Sequence, residues 1–352
     1  MIQNNASVVV LIVNWNGIED TIECVNSICD SNFKDFELYI IDNNSQESDS
    51  KTLKKQFGSN DKICLRFYDK NYGFTKAHIK IFKEELITKK FEWLLLLNND
   101  VTIDINCISN LISHANTNHL DITSSKMINY FKRSEMDNAG HRVISTGEII
   151  PIGSGQNVDE FDENFVNLGA CAGGALYKKS CVSQIGFFDD YFNTGYEDAE
   201  LGLRAFLTGF KTGYCASALV YHKGGKSIKK VFNEGYAIQN QKNILFTIIK
   251  LYPLPLLLLY YPINIFRSIL IIIICLVIYK WNISKIMFKA IINFHFKDFK
   301  IALIARNKFQ GSSKTIRWYK LFLQLHSFVK FDIERAWEYL IKRSPSALDK
   351  YR

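Results

Sequence analysis

Residues 7–13 read SVVVLIV, an unbroken run of β-branched and aliphatic residues after a polar start. Such a run, without polar alternation, predicts a strand buried on both faces, as in a parallel sheet. Asn14-Trp15-Asn16-Gly17 breaks it, and residues 18–29 then carry apolar positions at helical spacing. Residues 36–41 predict a second buried strand, ending in Asp42-Asn43-Asn44-Ser45. A short helix follows, then a strand near 63–67. Asn71-Tyr72-Gly73-Phe74 reads as a turn, 75–87 as a helix, and 93–97 (WLLLL) as a strand ending in Asn98-Asn99-Asp100. Residues 129–165 lose this regularity and read as a variable excursion facing an acceptor. Residues 169–177 (GACAGGALY) resume the core with small residues, as needed where backbone packs closely. Residues 218–221 form a last strand before His222. Strands alternating with helices at these lengths predict an α/β fold with a doubly wound, mostly parallel sheet.

Polar residues gather after three of these strands, at Asn14/Asn16, Asp42 and Asp100. Asx residues often make turns there. Three such clusters on one sheet edge point instead to a binding site, because ligands of open α/β sheets bind at the strands' carboxyl ends. No G-x-G-x-x-G follows the first strand, which disfavours a dinucleotide oxidoreductase. Farther on, Glu197, Asp198 and Glu200 open a helical pattern. Acids in a first turn are stabilised by free N–H groups and the helix dipole, so charge–dipole stabilisation is one reading. Flanking aromatic and glycine residues, together with the strand-end clusters, favour another. In it Asp198 is a catalytic base, kept ionised by the helix end, and Asp100 belongs to a metal–diphosphate site. Glu200 has Arg204 four residues on and reads as structural. Asp189 and Asp190 are turn formers or acceptor-site acids, Asp189 being the one favoured for acceptor contact.

The pattern changes near residue 251. Residues 254–279 carry one charge, Arg267, but Pro253, Pro255 and Pro262 crowd the beginning. From 280 onward there are 16 Lys+Arg against 5 Asp+Glu, while the whole chain of 352 residues carries +8. A basic tail after an apolar segment suggests an anionic membrane surface rather than nucleic acid, for which no module is visible. The apolar stretch is too short for two crossings, and one crossing would put the cations outside. A re-entrant or interfacial anchor on the cytoplasmic face of the cell membrane is therefore expected, a buried helical subdomain being the alternative. The division is expected at 1–235 and 236–352. Eight scattered cysteines without a C-x-x-C pair suggest reduced thiols, and no signal peptide is expected.

Taken in order, eight pieces carry a resemblance: 10–17 (VLIVNWNG), 40–45 (IIDNNS), 71–74 (NYGF), 96–101 (LLNNDV), 173–177 (GGALY), 186–190 (GFFDD), 196–201 (YEDAEL) and 220–227 (VYHKGGKS). Their joint order and spacing resemble family 2 glycosyltransferases of the Rossmann-like GT-A fold, most closely the bacterial rhamnosyltransferase-like branch. The resemblance implies an inverting transfer of one sugar from a nucleotide-diphosphate sugar donor, dTDP-rhamnose or a UDP-sugar. The acceptor would be a lipid-linked or glycan molecule of cell-envelope polysaccharide synthesis, met at the inner face of a membrane. It implies that Asp42 contacts the nucleobase, that Trp15 packs beside it, and that Asn99 lies near the ribose. Val13, Asn16, Asn44, Asn71, Gly73 and Asn98 complete the implied donor site. Asp100 and His222 would hold Mg²⁺ or Mn²⁺, Asp198 would be the general base, and Glu197 would neighbour the acceptor with Asp189. The usual D-x-D is here Asn98-Asn99-Asp100, with one carboxylate. A processive polysaccharide synthase is the runner-up, but Arg317-Trp318 lacks the Gln of Q-x-x-R-W, Lys314 standing there. A non-catalytic nucleotide-sugar-binding scaffold is the alternative of another class.

Overall fold

The structure, a computed structural model, describes residues 7–193, 195–224, 233–312 and 316–340. Thr194, residues 225–227 of the VYHKGGKS motif and the last cations of the tail, 341–352, lie outside the described residues. The chain forms two compact units. One takes in Met1–His141, Pro151–Phe206 and Phe210–Gly224, the other Arg142–Ile150, Leu207–Gly209 and Gly225–Arg352. A division by composition at residue 235 does not separate the two short segments that join the second unit.

In chain order the first unit runs β1 (Val8–Asn14), α1 (Ile18–Asp30), β2 (Phe36–Asp42), α2 (Glu47–Phe57), β3 (Ile63–Phe67), α3 (Gly73–Ile81), β4 (Trp93–Asn98), β5 (Val101–Ile103), α4 (Cys107–Asn118), β6 (Ile122–Asn129) and β7 (Met136–Asn138). The β8 (His141–Val143) and β9 (Ile149–Pro151) hairpin follows, then β10 (Gly174–Lys178), α5 (Lys179–Ile185), α6 (Glu197–Leu207) and β11 (Thr212–His222). The main sheet has the order β3-β2-β1-β4-β10-β6-β11-β5, with β7 added beside β6. β3, β2, β1 and β4 are mutually parallel, and β6 and β11 are parallel to each other. β10 runs antiparallel between β4 and β6, and β5 closes the edge antiparallel to β11.

The uninterrupted apolar run of β1 is explained by two cores. Val8, Val10 and Ile12 pack with Cys24, Val25 and Ile28 of α1, Leu53 of α2 and Leu111 of α4. Val9 and Leu11 pack with Ile79 of α3, Val182 of α5, and Leu201 and Ala205 of α6. Helices therefore cover both faces, the doubly wound arrangement expected. The helix expected over 75–87 is α3 continued by a π-helical turn, Phe82–Leu86.

The hydropathy pattern passes over β5, α4 and β6, and the reason is plain in β6. Thr123, Ser124, Ser125 and Lys126 are all buried in it. Ser125 Oγ donates to the Gly174 carbonyl at 2.7 Å, Asn167 Nδ2 donates to Ser124 Oγ at 2.8 Å, and Lys126 pairs with Asp162. A strand whose polar atoms find partners can be central without looking apolar.

In the second unit, α7 (Glu234–Leu251), α8 (Leu254–Val277), α9 (Trp281–Asn293), α10 (Phe299–Ser312), α11 (Trp318–Phe322) and α12 (Phe328–Leu340) pack with the tip of the β8–β9 hairpin. Arg306 donates to the carbonyls of Ile249 and Tyr252 at 2.8 and 2.6 Å, closing the end of α7. Tyr252 is fully buried, and its hydroxyl donates to the Ile144 carbonyl at 3.3 Å.

The small residues expected near 169–177 serve a close approach. A Cβ on Gly202 of α6 would lie 2.4 Å from the Gly169 Cα and 2.6 Å from the Leu168 carbonyl oxygen. Gly202→Ala should therefore lower stability by about 1–3 kcal/mol, the usual cost of overpacking. Chemical denaturation of the full chain checks this, with Gly311→Ala, a helical glycine where a Cβ meets nothing within 4 Å, as the control that should not lose stability.

Candidate active site

The loops after β1 and β2 are held together by one buried side chain, Asn14, which is 0% exposed. Its Oδ1 accepts from Thr21 Oγ1 at 2.9 Å and the Gly17 N–H at 3.3 Å. Its Nδ2 donates to Asp42 Oδ1 and Ser45 Oγ, both at 3.1 Å. Asp42 is buried, and its other oxygen accepts from Ser50 Oγ at 2.5 Å. Asn16 has φ 51°, a left-handed conformation that Asn tolerates. Its N–H donates to Ser45 Oγ at 2.9 Å, and its Oδ1 accepts from the Gln46 N–H at 2.8 Å. Trp15 is half-buried beside them, and the partly buried Val13 packs on the second core. Asn44 is exposed with φ 61°.

Two neighbouring loops join this frame. Asn43 accepts from the Tyr72 N–H at 2.9 Å and donates to Asn71 Oδ1 at 2.9 Å and the Gly73 carbonyl at 3.2 Å. Gly73 itself needs φ 73° to begin α3 there. From β4, Asn99 Nδ2 donates to Thr21 Oγ1 at 3.1 Å, and a Cβ on Gly17 would lie 2.7 Å from that nitrogen.

Asp100 meets His222 because of a register shift in β11. The shift lies between Cys215 and Leu219, after which His222 pairs with Asn129 of β6 and Val101 of β5. His222 Nε2 lies 3.2 Å from Asp100 Oδ1 and 3.4 Å from Asn98 Nδ2. Its Nδ1 lies 2.9 Å from Asp137 Oδ2, a residue of β7. Burial alone would lower the His222 pKa, but hydrogen bonds to Asp100 and Asp137 outweigh it and raise it to about 10. Lys223 donates its backbone N–H to the Asp100 carbonyl at 3.0 Å, while its ammonium pairs with Asp20 at 2.7 Å and with Glu23. Among the described residues no group of three or more His, Cys, Asp or Glu side chains forms a ready metal cage.

The acidic helix start is reached through left-handed residues, Gly195 at φ 83° and Tyr196 at φ 77°. A tyrosine there is uncommon and stores strain. Asp198 Oδ2 accepts from the Ala172 N–H at 2.8 Å and Oδ1 from the Ala199 N–H at 2.7 Å. The next carbonyl after Ala172, that of Gly173, accepts from the Asn98 N–H at 3.3 Å. Two consecutive residues therefore tie Asp198 to the end of β4. Glu197 is only 4% exposed, and its Oε2 accepts from Thr75 Oγ1 at 3.2 Å. Burial first, then the Asp198 charge, raises its pKa to about 8.

Glu200 is structural, as expected, but it is no surface acid. It is fully buried and grips Arg204 at 2.8 Å, whose guanidinium also donates to the carbonyls of Ile185, Gly186 and Phe187. Asp189 accepts from the Tyr191 N–H at 2.9 Å, the geometry of a turn former, and Asp190 is exposed. Sequence reasoning missed three residues here. Asn14 reads from the sequence as one of the strand-end polar residues, with no sign of its linking role. Asp137 lies in the irregular stretch and carries no local signal. His141 is buried and neutral: burial lowers its pKa although the Asp198 charge pulls the other way, and its Nδ1 has no hydrogen-bond partner among the described residues.

The family model described as Glycosyl transferase family 2 matches residues 9–186. Among curated proteins no sequence matches the chain. The fold is similar to that of GalNAc-T7, solved with UDP, GalNAc and Mn²⁺, at 14% identity and TM-score 0.53, over 70% of this chain and 48% of that one. It is likewise similar to S. aureus TarS 1-349 in complex with UDP-GlcNAc, at 15% identity and TM-score 0.51, over 70% of this chain and 67% of that one. The chain thus spans about half to two thirds of these structures, and at such identities the likeness is one of fold. The mixed sheet with helices on both faces is the GT-A architecture.

The raised Glu197 pKa has a sign. The unfolded carboxyl ionises near 4.5, and the folded one near 8. Its contribution is therefore full below 4.5 and is lost as pH rises through 8. Glu197→Gln should remove this loss. Relative to wild type, the variant should gain on the order of 1–4 kcal/mol between pH 4.5 and 9, at about 1.4 kcal/mol per pH unit. Urea unfolding at a series of pH values checks it.

Proposed function

Because the chain belongs to the family 2 glycosyltransferases, we propose that it transfers one sugar, with inversion, from a nucleotide-diphosphate donor to a hydroxyl of a lipid-linked or glycan acceptor. The observation that carries this reading is the pair of consecutive backbone contacts joining Asp198 to the end of β4, where the polar loops of β1, β2 and β4 meet. The donor's base and ribose would lie along those loops, against Trp15, Asp42 and Asn99. Asp198 would accept the proton of the attacking hydroxyl as the bond to the anomeric carbon forms and the nucleoside diphosphate departs. Its two N–H contacts fix the direction of the carboxylate. Glu197, protonated at neutral pH, would leave Asp198 as the one carboxylate at the helix start that is not paired with a cation.

The donor set of Asp100 and His222 fits a divalent cation, which would bind at Nε2 in place of its proton. Asp137 holds Nδ1 of the imidazole, which turns Nε2 toward Asp100, the arrangement in which an outer carboxylate orients a metal-bound histidine. When bound, Mg²⁺ or Mn²⁺ would act as Lewis acid toward the departing diphosphate, whose oxygens would complete the coordination. The imidazole nitrogen tilts the choice toward Mn²⁺. Among the described residues one helix, Leu254–Val277, is long and apolar enough to cross a membrane, which supports single addition over processive synthesis. The pathway we favour is cell-envelope polysaccharide assembly at the cytoplasmic face of the membrane, with dTDP-rhamnose or a UDP-sugar as donor.

A panel of dTDP- and UDP-sugars, with Mn²⁺ and a membrane lipid extract, tests the activity by nucleoside diphosphate release. Asp198→Asn should lower turnover by about 10²–10⁴-fold, the usual worth of a general base. Its donor affinity by calorimetry should change less than about threefold, one neutral contact being worth roughly that little; lost donor binding would refute the base assignment. For the outer carboxylate, Asp137→Asn should weaken Mn²⁺ binding by about 10–100-fold, read by electron paramagnetic resonance.

A further inference from the structure

Helix α8 is polar inside and apolar outside. Its inward residues include Asn264, Arg267 and Ser268, which are 4%, 8% and 7% exposed. Arg267 donates to Asp332 through Nε and Nη2, both at 2.5 Å, and to Glu148 through Nη1. Asn264 Nδ2 donates to the Thr146 carbonyl at 2.7 Å. At about 100° per residue, Leu258, Phe266, Ile269 and Ile273 fall on the opposite arc. They are 67%, 70%, 47% and 51% exposed. A helix of a water-soluble core has the reverse arrangement. Past the turn at Tyr279, Trp281 and Phe288 of α9 are also open, at 59% and 57% exposed. Exposed large apolar side chains gathered in this number mark an interaction site.

Charge and residue type select the occupant. Between residues 278 and 312 Arg306 is buried and Lys285 and Lys289 pair with Glu234, while Lys280, Lys297, Lys300 and Lys308 are exposed and suit a negatively charged surface. Exposed Tyr279 and Trp281 stand where α8 ends, the residue types that favour a headgroup boundary. The polar clamp then decides the orientation. Twenty-four residues of helix are long enough to cross a bilayer. Yet Arg267 stands near the middle of α8, tied to Glu148 and, through Asn264, to the hairpin turn at Thr146. A crossing helix would carry that turn, with irregular backbone and two carboxylates, to the bilayer midplane. Irregular backbone is not tolerated against lipid there.

We infer that α8 and α9 lie in the plane of an anionic leaflet, apolar side down, so that the protein attaches to one side of the membrane without crossing it. This refines the membrane-acceptor reading above and rests on it only for which leaflet is used. The test is sedimentation of the full chain with phosphatidylcholine vesicles, plain or with about one third phosphatidylglycerol. Wild type should bind the anionic vesicles. A Phe266→Glu, Ile273→Glu double variant should bind about tenfold or more weakly, with unchanged circular dichroism and unchanged donor-sugar hydrolysis. Epitope tags at the two chain ends should be cut by protease from the same face of sealed vesicles. Equal binding by the variant, tags on opposite faces, or a dimer without vesicle binding would each overturn the inference. Hydrolysis reports the glycosyl-transfer reading separately, so the two fail distinguishably.

Discussion

A buried amide with every hydrogen-bonding position in use is the constraint on which the rest of the first unit depends. Asn14 stands at the last position of β1, in register with Asp42 of β2. Its two acceptor and two donor positions are all filled, by Thr21, Gly17, Asp42 and Ser45. An apolar residue would leave Asp42, a buried carboxylate, short of a donor, and such a loss costs more than an ordinary hydrogen bond contributes. Thr21 in turn receives Asn99, so the ends of β1, β2 and β4 form one network. The loops that would hold a donor thus inherit their positions from a side chain that need not touch it.

The alternating strands and helices of the first hundred residues were legible because β1 and β4 are apolar on both faces and β2 nearly so, and hydropathy reports that directly. The strand-end clusters were legible for the same reason, since each interrupts an apolar run. What periodicity cannot report is a buried polar strand. β6 has four polar residues in a row, of which Ser124, Ser125 and Lys126 are satisfied by Asn167, Gly174 and Asp162, and those partners are remote in sequence. The His222–Asp100 contact also depends on a register shift that nothing near His222 announces. Asp137 reaches His222 from a three-residue strand 85 residues away. For Glu200 the i+4 partner was visible, but not that burial turns the pair into a clamp on three carbonyls.

Buried charge is used differently at each place. Glu200 and Arg204 form a closed pair in which every strong donor is spent, the condition under which a buried ion pair holds a structure rather than weakening it. Glu197, one helical turn earlier, has no cation beside it, only the Thr75 hydroxyl and backbone N–H donors, and burial leaves it its proton. The contrast explains how three acids crowd one helix start without mutual repulsion. One is paired, one is neutral, and Asp198 is left with two backbone N–H groups.

The hairpin between β8 and β9 belongs to the catalytic unit at its base and to the helical unit at its tip. Gly147 lies there at φ 90°, and a Cβ on it would sit 2.2 Å from Ile248 of α7. Neither unit is therefore a contiguous stretch of sequence. Recombination that exchanged everything after residue 224 for another lineage's helices would leave the tip facing an unfamiliar partner. The helical region is thereby completed by nine residues encoded more than 70 positions upstream, and a graft of new helices would have to bring its own hairpin tip with it.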